Sequence, residues 1–493
     1  MADSRLRLAA LAAQIWLAGI AAAANGLIEW LIPQPPPPSH LTIGSHLFQD
    51  TPPLPGCSGG VRFHSEYEDY YREGGMETRG ASFARTFAAE SFLRWQRGVL
   101  KRITLAGANQ YRRIWSGNAD PPWEIINTNS QNDATATIEL QYCSLFGAVG
   151  VRSYSLPKNR TTPLAGINIA FPRWLDAAAQ WEQLYLSERL DGSRGNDRAS
   201  ILFSGDGEQT SARLITSEKC GFAIDASYSR SIWMRRNRDT PDAELTPWGD
   251  EQHYRINVSH LSKLFRIAAF AHGNWLDWQM YGMKYGLPFA KVTYCEYKRE
   301  CYGIEWSSFD RHTGNNTLNL SLERGWSSFY GRGHVEFWPF TSGLIDLLGL
   351  RRYFIGSASN NYWLATFSNP YQITPHWRLR SFLTLIDTHQ SGEFEHWKPV
   401  FLVFGKTDVR TSGFAVERLI AGAVTIRSDW QGGDWALSYQ FSQFFPIRNW
   451  KIDPSKPYEG AKPSSDFSVA GRFPYGGGIH RITFSKYYQL LSK

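Results

Sequence analysis

The segment Thr317-Leu-Asn-Leu-Ser-Leu-Glu323 alternates strictly between apolar and polar residues, so that Leu318, Leu320 and Leu322 share one face of an extended chain. Successive side chains of a β-strand point to opposite faces, and a period of two therefore indicates a strand with one apolar and one polar face. The same pattern, less regular in places, runs through 133–142, 253–259, 377–385 and 435–441. No stretch of similar length has the period of an α-helix, and the pattern predicts an all-β protein.

Glycine-rich and asparagine-rich segments separate the alternating ones, as turns separate strands. Three of these segments are 191–197, 314–316 and 431–434. Between residues 58 and 490, the alternation and the turns together predict about 16–18 strands.

The composition of the 493 residues excludes several classes of protein. Aromatic residues make up 15% of the chain, charged residues 20%, and the mean hydropathy is −0.37. These values fit neither a disordered chain nor a bundle of membrane helices. Five cysteines are too few for a disulfide-built scaffold. With a net charge of +7 and no tract rich in lysine or arginine, we expect no nucleic-acid partner.

Aromatic residues occupy many apolar positions near the ends of the alternating segments, among them Trp363, Phe367, Trp377, Trp435 and Phe441. Such residues are favoured where strands cross the interface between membrane and water. The chain here resembles bacterial outer-membrane β-barrel, porin-like proteins over 58–490. The resemblance implies an antiparallel up-and-down transmembrane β-barrel, which closes because lipid satisfies no free strand edge. A soluble β-sandwich or β-propeller is the alternative fold.

Two features depart from this class. Arg230 shares a face with Tyr228 and Ile232, so we expect it near the membrane interface or at a shift in strand register. Proteins of this class usually end in a strand whose terminal aromatic residue is read by the outer-membrane assembly machinery. The last predicted strand, 479–488, carries two tyrosines near its end but is followed by 489–493.

The N-terminal sequence predicts export. Residues 1–24 combine two arginines, an uncharged run and a small-residue cleavage site, as a secretory signal peptide does. A retained anchor over 8–28 is the alternative, since that uncharged run is long enough to span a bilayer. The proline-rich segment 25–57 is predicted to be a periplasmic linker, and 58–493 to form a barrel in the cell outer membrane.

Cysteines are candidates for disulfides if the chain is exported to an oxidising compartment. Cys295 and Cys301 lie six residues apart and are the candidate pair for a small disulfide-closed loop. The sequence leaves open how Cys57, Cys143 and Cys220 pair.

The sequence contains no motif for a nucleotide-binding loop, a metalloprotease, a serine hydrolase, a zinc ribbon or an attached haem. We therefore expect no catalytic residues, no metal, no cofactor and no enzymatic activity. The densest group of histidine and acidic residues, within 387–396, is predicted to be a solvated hairpin loop rather than a metal site.

Arginine recurs on the polar faces of the predicted strands. By parity with neighbouring apolar residues, seven arginines are predicted to face the lumen and line a pore: Arg102, Arg112, Arg255, Arg378, Arg380, Arg427 and Arg481. Arginines along a pore favour anionic solutes because they lower the electrostatic barrier to entry. Two other uses of a polar wall stay open. Lumen charges can pair with one another, for example with Glu139, Asp225 and Glu323, or a second chain can dock inside.

These features predict a passive pore or conduit for polar or anionic solutes or polymer, embedded in outer-membrane lipid. One alternative is a barrel that acts as a sheath or scaffold for a periplasmic or lumenal partner, such as an exported polysaccharide or an electron-transfer cytochrome. A second alternative is a secreted all-β carbohydrate-binding protein or enzyme, whose aromatic residues would stack on sugar rings.

Overall fold

The structure is a computed structural model. It describes the backbone of residues 56–492 except for the connecting segments 74–79, 98–99, 120–121, 143–144, 155–159, 172–174, 195–196, 217–220, 235–243, 285–286, 310–315, 337–350, 401–402, 433–434 and 447–475. Side chains are described over part of the strands, chiefly within 205–233, 248–279, 294–334, 355–389 and 422–443. The predicted signal peptide and nearly all of the predicted linker lie outside the described residues.

The described residues form 18 β-strands. They are β1 (Gly56–Glu73), β2 (Gly80–Arg97), β3 (Leu100–Ala119), β4 (Pro122–Tyr142), β5 (Leu145–Tyr154), β6 (Arg160–Phe171), β7 (Leu175–Arg194), β8 (Asp197–Thr216), β9 (Phe222–Met234), β10 (Glu244–Leu261), β11 (Phe265–Lys284), β12 (Leu287–Phe309), β13 (Asn316–Glu336), β14 (Arg351–Thr374), β15 (Trp377–Val400), β16 (Val403–Gly432), β17 (Trp435–Pro446) and β18 (Gly476–Ser492). Within the described part of the chain, no helix has the length and apolar character needed to cross a membrane.

The strands form one antiparallel up-and-down barrel. Each strand pairs with the next one in the chain, and β18 pairs with β1 from Ser58↔Ser492 to Glu73↔Gly476, which closes the sheet into a ring. The predicted all-β barrel of about 16–18 strands is therefore confirmed, with 18 strands. All five alternating segments lie inside strands, and the residues after position 488 extend β18 instead of forming a tail.

The two ends of the barrel differ in the length of their connections. At one end the strands are joined by short turns, such as 375–376 between β14 and β15, and the first strand begins there at Gly56. At the other end the connections vary from two residues, as at 120–121 between β3 and β4, to the longest in the barrel, 447–475 between β17 and β18. We call these the short-turn end and the long-loop end. In bacterial barrels the short turns face the periplasm.

A band of exposed apolar side chains covers the outer face next to the short-turn end. In β9 the outward apolar residues lie between Phe222 and Ile232, and in β14 between Trp363 and Ile373, so that the band spans eleven residues of each of these strands. A tilted β-strand needs about 9–11 residues to cross a bilayer. The height of the band therefore matches the hydrocarbon core of a membrane, and most strands continue beyond it at the long-loop end.

Arg230, which conflicts with the apolar pattern, points outward near the upper edge of this band. Its Nε donates a hydrogen bond of 2.9 Å to Asp250 Oδ2 on the neighbouring strand β10. The ion pair cancels the net charge of both groups on the lipid-facing surface. The position follows the expectation of an interfacial arginine, and the described register of β9 with β10 contains no shift at this point.

The inner face is polar and hydrogen-bonded. Thr388 Oγ1 donates to Asn360 Oδ1 at 2.5 Å, and Thr425 Oγ1 donates to Ser442 Oγ at 2.8 Å. All four residues are at most 7% exposed. Bonds between neighbouring strands therefore pair some of the polar groups that are buried on the inner face.

Two local expectations are wrong. Cys295 and Cys301 are free cysteines on the single strand β12, where six residues span about 20 Å, far more than a disulfide allows. Residues 387–396 are not a hairpin loop but the middle of β15, because that strand continues well past the membrane band.

Candidate functional site

The inward face of β15–β18 carries a row of arginines set by strand register. Leu383 and Leu385 face outward in β15, so the even-numbered residues of this part of the strand, which include Arg378 and Arg380, face inward. Arg380 lies opposite Arg427, Arg427 opposite Gln440, and Gln440 opposite Arg481. Four consecutive strands therefore present two adjacent arginines, a glutamine and a third arginine at one level.

One carboxylate lies within this row. Asp429 Oδ2 is 3.1 Å from Arg380 Nη2, and Asp429 Oδ1 is 2.7 Å from Arg427 Nε. The carboxylate thus holds two guanidinium groups apart and cancels one of their two charges. Closer to the short-turn end, Arg378 Nε donates to Gln372 Oε1 at 2.9 Å and is exposed. We call Arg378, Arg380, Arg427 and Arg481 the arginine sector.

The wall on the far side of the ring carries charges of both signs. Strand β7 lies nine strands from β16 in a ring of 18, and its residue Glu182 faces inward and is 4% exposed. Arg213 Nη2 on β8 pairs with Asp225 Oδ2 on β9 at 3.1 Å. Glu251 Oε1 on β10 lies 2.8 Å from His253 Nε2. Unlike these far-wall residues, the arginine sector together with Asp429 carries a net positive charge.

The seven arginines predicted from sequence fall into two groups. The side chains of Arg255, Arg378, Arg380, Arg427 and Arg481 face inward, with Arg481 only 7% exposed. Arg102 and Arg112 lie in β3, and their side chains are outside those that the structure describes. Arg255 is separated from the arginine sector by four strands, so the seven do not form a single ladder.

Sequence reasoning missed some inward arginines among the described residues, Arg213 and Arg299 among them. Arg213 lies between the outward residues Ala212 and Leu214. Strand parity alone could therefore have identified its side chain as inward. Arg299 lies in the charged run Lys298-Arg-Glu300 on β12, where no apolar residue marks which face is which. The inward direction of Arg299 follows only from the exposed apolar residues further along the strand, which begin with Tyr302 and face outward.

Above the band, on the outer face at the long-loop end, charged residues replace apolar ones. Asp277 on β11 lies near Glu296 and Lys298 on β12. Burial and then the negative charge of Glu296 raise the pKa of Asp277. Hydrogen bonds from Lys298 and from the hydroxyl of Tyr294 lower the pKa of Glu296. The change from apolar to ionised residues marks the upper limit of the membrane-facing surface.

Comparison with known proteins gives matches in structure only. No family model and no characterised protein matches the sequence. The solved structures that are similar include OccK7 of Pseudomonas aeruginosa, with a TM-score of 0.39, 10% identity, and coverage of 88% of this chain and 100% of that one. OccAB4 of Acinetobacter baumannii has a TM-score of 0.39 and 9% identity, covering 89% and 100%. A loop-deletion mutant of OmpT, an outer membrane protein of Vibrio cholerae, has a TM-score of 0.32 and 7% identity, covering 87% and 99%.

The chain resembles outer-membrane β-barrel porins. The strand pairing, the closure of the ring and the outward apolar band define this architecture independently of those matches. In this architecture the arginine sector faces the interior of the barrel, and the apolar band faces lipid.

Proposed function

We propose that the protein is a passive pore of the outer membrane that admits polar solutes and favours those carrying an anionic group. The observation that supports this proposal best is the arginine sector, where four arginines accompany one carboxylate, Asp429, on the inner faces of β15, β16 and β18. A surplus of fixed positive charge on a pore wall lowers the electrostatic barrier for anions and raises it for cations. No covalent chemistry is needed for this function.

The membrane location is part of the same proposal. The apolar band spans eleven residues of a strand, which is the height that a bilayer requires, and such a surface on a soluble protein would expose far more contiguous apolar area than is usual. The test is the gel mobility of the protein from separated membrane fractions, unheated and boiled. Faster migration of the unheated sample from the outer-membrane fraction is expected. Recovery in the soluble fraction without a heat-dependent shift would contradict the location.

The anion preference is tested by removing the two arginines that β15 contributes to the arginine sector. In a double variant Arg378→Ser and Arg380→Ser, the carboxylate of Asp429 keeps only Arg427 as its partner, and the local net charge falls by two. We expect the ratio of anion to cation permeability, measured from reversal potentials in planar bilayers under a salt gradient, to fall. The matched control is Arg230→Ser, which removes an arginine from the outer face and is expected to leave the ratio unchanged. Equal ratios for the double variant and the wild type would refute the assignment.

A further inference from the structure

Away from the arginine sector, the inner wall at β11–β13 holds three side chains of the kinds that bind transition metals. His272, Cys301 and Glu323 come from three neighbouring strands, and one ligand atom of each lies within 4.8 Å of the other two. His272 lies opposite Cys301 in the register of β11 with β12, and Glu323 lies opposite Gly303 in the register of β12 with β13. The three side chains therefore converge because paired backbones hold them at adjacent positions of one face.

The cluster is compact enough for one metal ion to contact all three side chains after small rotations. Cys301 Sγ lies 2.8 Å from His272 Nε2, and Cys301 is only 2% exposed. In a tetrahedral zinc site, with Zn–S about 2.3 Å and Zn–N about 2.0 Å, two ligand atoms are roughly 3.5 Å apart. Rotation of the histidine and glutamate side chains supplies the small movement that this geometry requires.

Neighbouring residues hold the side chains of His272 and Glu323 in place. The hydroxyl of Tyr362 donates a hydrogen bond of 2.6 Å to Glu323 Oε1. Position 325 is glycine, and a Cβ there would overlap the ring of Tyr362, so that glycine makes room for the tyrosine. The ring of Phe270 is stacked beside that of His272, with centroids 6.0 Å apart. Such hydrogen bonds and packing fix the direction of the ligand atoms.

We propose that His272, Cys301 and Glu323 form a binding site for one divalent transition-metal ion of the zinc type, with a fourth position open to the lumen. Imidazole, thiolate and carboxylate are all zinc ligands, and a thiolate disfavours hard ions such as Mg²⁺ and Ca²⁺. On binding, the Cys301 thiol gives up its proton to lumen water, and the thiolate and the Glu323 carboxylate together balance the charge of the ion. This site does not depend on the proposed transport function.

The cluster also contains positive charge. Arg255 and Arg299 act electrostatically on His272, and both oppose the binding of any cation. The thiolate and the imidazole must therefore supply the affinity, which predicts that the ion is thiophilic. Motif searches miss this site because each ligand comes singly from a different strand, separated by 29 and 22 positions along the chain.

The experiment uses Co²⁺ as an optical probe on the full-length folded barrel in detergent, after removal of metal with a chelator. Co²⁺ bound to a thiolate gives a charge-transfer band in the near ultraviolet, and titration to a plateau gives the number of ions per chain. We expect one ion per chain, displaced by Zn²⁺ and not by excess Ca²⁺. Cys301→Ser is expected to lose the band. The matched control, Cys295→Ser, removes the other described cysteine of β12 and is expected to keep it.

Further variants separate the site from the stability of the fold. Tyr362→Phe is expected to keep the band but weaken Co²⁺ binding by about 10–100-fold, as the loss of a second-shell hydrogen bond does. Glu323→Gln keeps nearly the same side-chain shape and is expected to weaken binding while the barrel keeps its heat-dependent gel mobility. This variant tests the site even if Cys301→Ser fails to fold. The absence of a thiolate band in the folded wild type would overturn the proposal, as would a band that survives in folded Cys301→Ser.

Discussion

Asp429→Asn is expected to increase the anion preference of the pore. The Asp429 carboxylate contacts Arg380 at 3.1 Å and Arg427 at 2.7 Å. All three side chains are partly accessible: Asp429 is 20% exposed, Arg380 34% and Arg427 18%. Asparagine keeps the shape of the side chain and removes one negative charge from the inner wall. The two arginines then act on passing ions without a counter-charge between them.

The size of the effect follows from Coulomb's law. For an ion that passes at about 7 Å, one unit charge in water contributes about 0.6 kcal/mol. Salt at about 0.1 M screens this to about 0.3 kcal/mol, and the effect has opposite sign for anions and cations. The two contributions combine to change the permeability ratio about threefold. At about 0.01 M salt, where screening is weak, the same arithmetic gives about fivefold.

The assay is the reversal potential of the reconstituted barrel in planar bilayers at these two salt concentrations. The control is Asp250→Asn, which also removes one carboxylate beside an arginine, but on the outer face. Its permeability ratio is expected to equal that of the wild type. The reasoning would be refuted if folded Asp429→Asn had an unchanged or lower anion preference, or if its effect did not grow as the salt concentration falls.

Two further predictions concern stability, measured as the temperature at which the fast-migrating folded band is lost from gels. Ile386 faces inward and is 1% exposed. Ile386→Ala is therefore expected to lower the stability of the barrel by about 2–5 kcal/mol, and Ile386→Val by about 0.5–1.5 kcal/mol. Equal melting temperatures for the wild type and both variants would contradict a role of Ile386 in packing. Burial and neighbouring carboxylates raise the pKa of Asp277. The folded barrel therefore binds the Asp277 proton more tightly than the unfolded chain does. The stability of the barrel then falls as the pH rises from about 4 through the folded pKa. Asp277→Asn is therefore expected to be more stable than the wild type at neutral pH and equal to it below about pH 3; a variant less stable at neutral pH would contradict this sign.

The architecture was accessible from the sequence because one physical constraint acts on every strand. An outward face in lipid and an inward face in water impose a period of two, which segments such as 317–323 display without interruption. The same parity indicated the inward side chains of Arg255 and Arg427. It also identified Arg230 as a conflict, which the ion pair with Asp250 on the next strand resolves.

Other features depend on strand length and register, which alternation does not determine. Residues 387–396 look like a polar loop, but they belong to a strand that extends beyond the membrane, where polar residues on both faces cost little. Cys295 and Cys301 suggest a small disulfide-closed loop, but six residues of extended chain keep them apart. His272 and Glu323 join Cys301 only through the registers of β11 and β13 with β12.

The central claim is that the barrel is a water-filled pore, and the most direct test is single-channel recording of the purified wild-type protein in planar bilayers. The protein used is the fraction that migrates faster unheated than boiled, so that its barrel is folded and closed. The account predicts discrete conductance steps and, under a salt gradient, a reversal potential of the sign given by anion preference. A folded, heat-modifiable barrel that inserts into the bilayer without conductance steps would contradict the pore and favour a sheath or scaffold for another molecule.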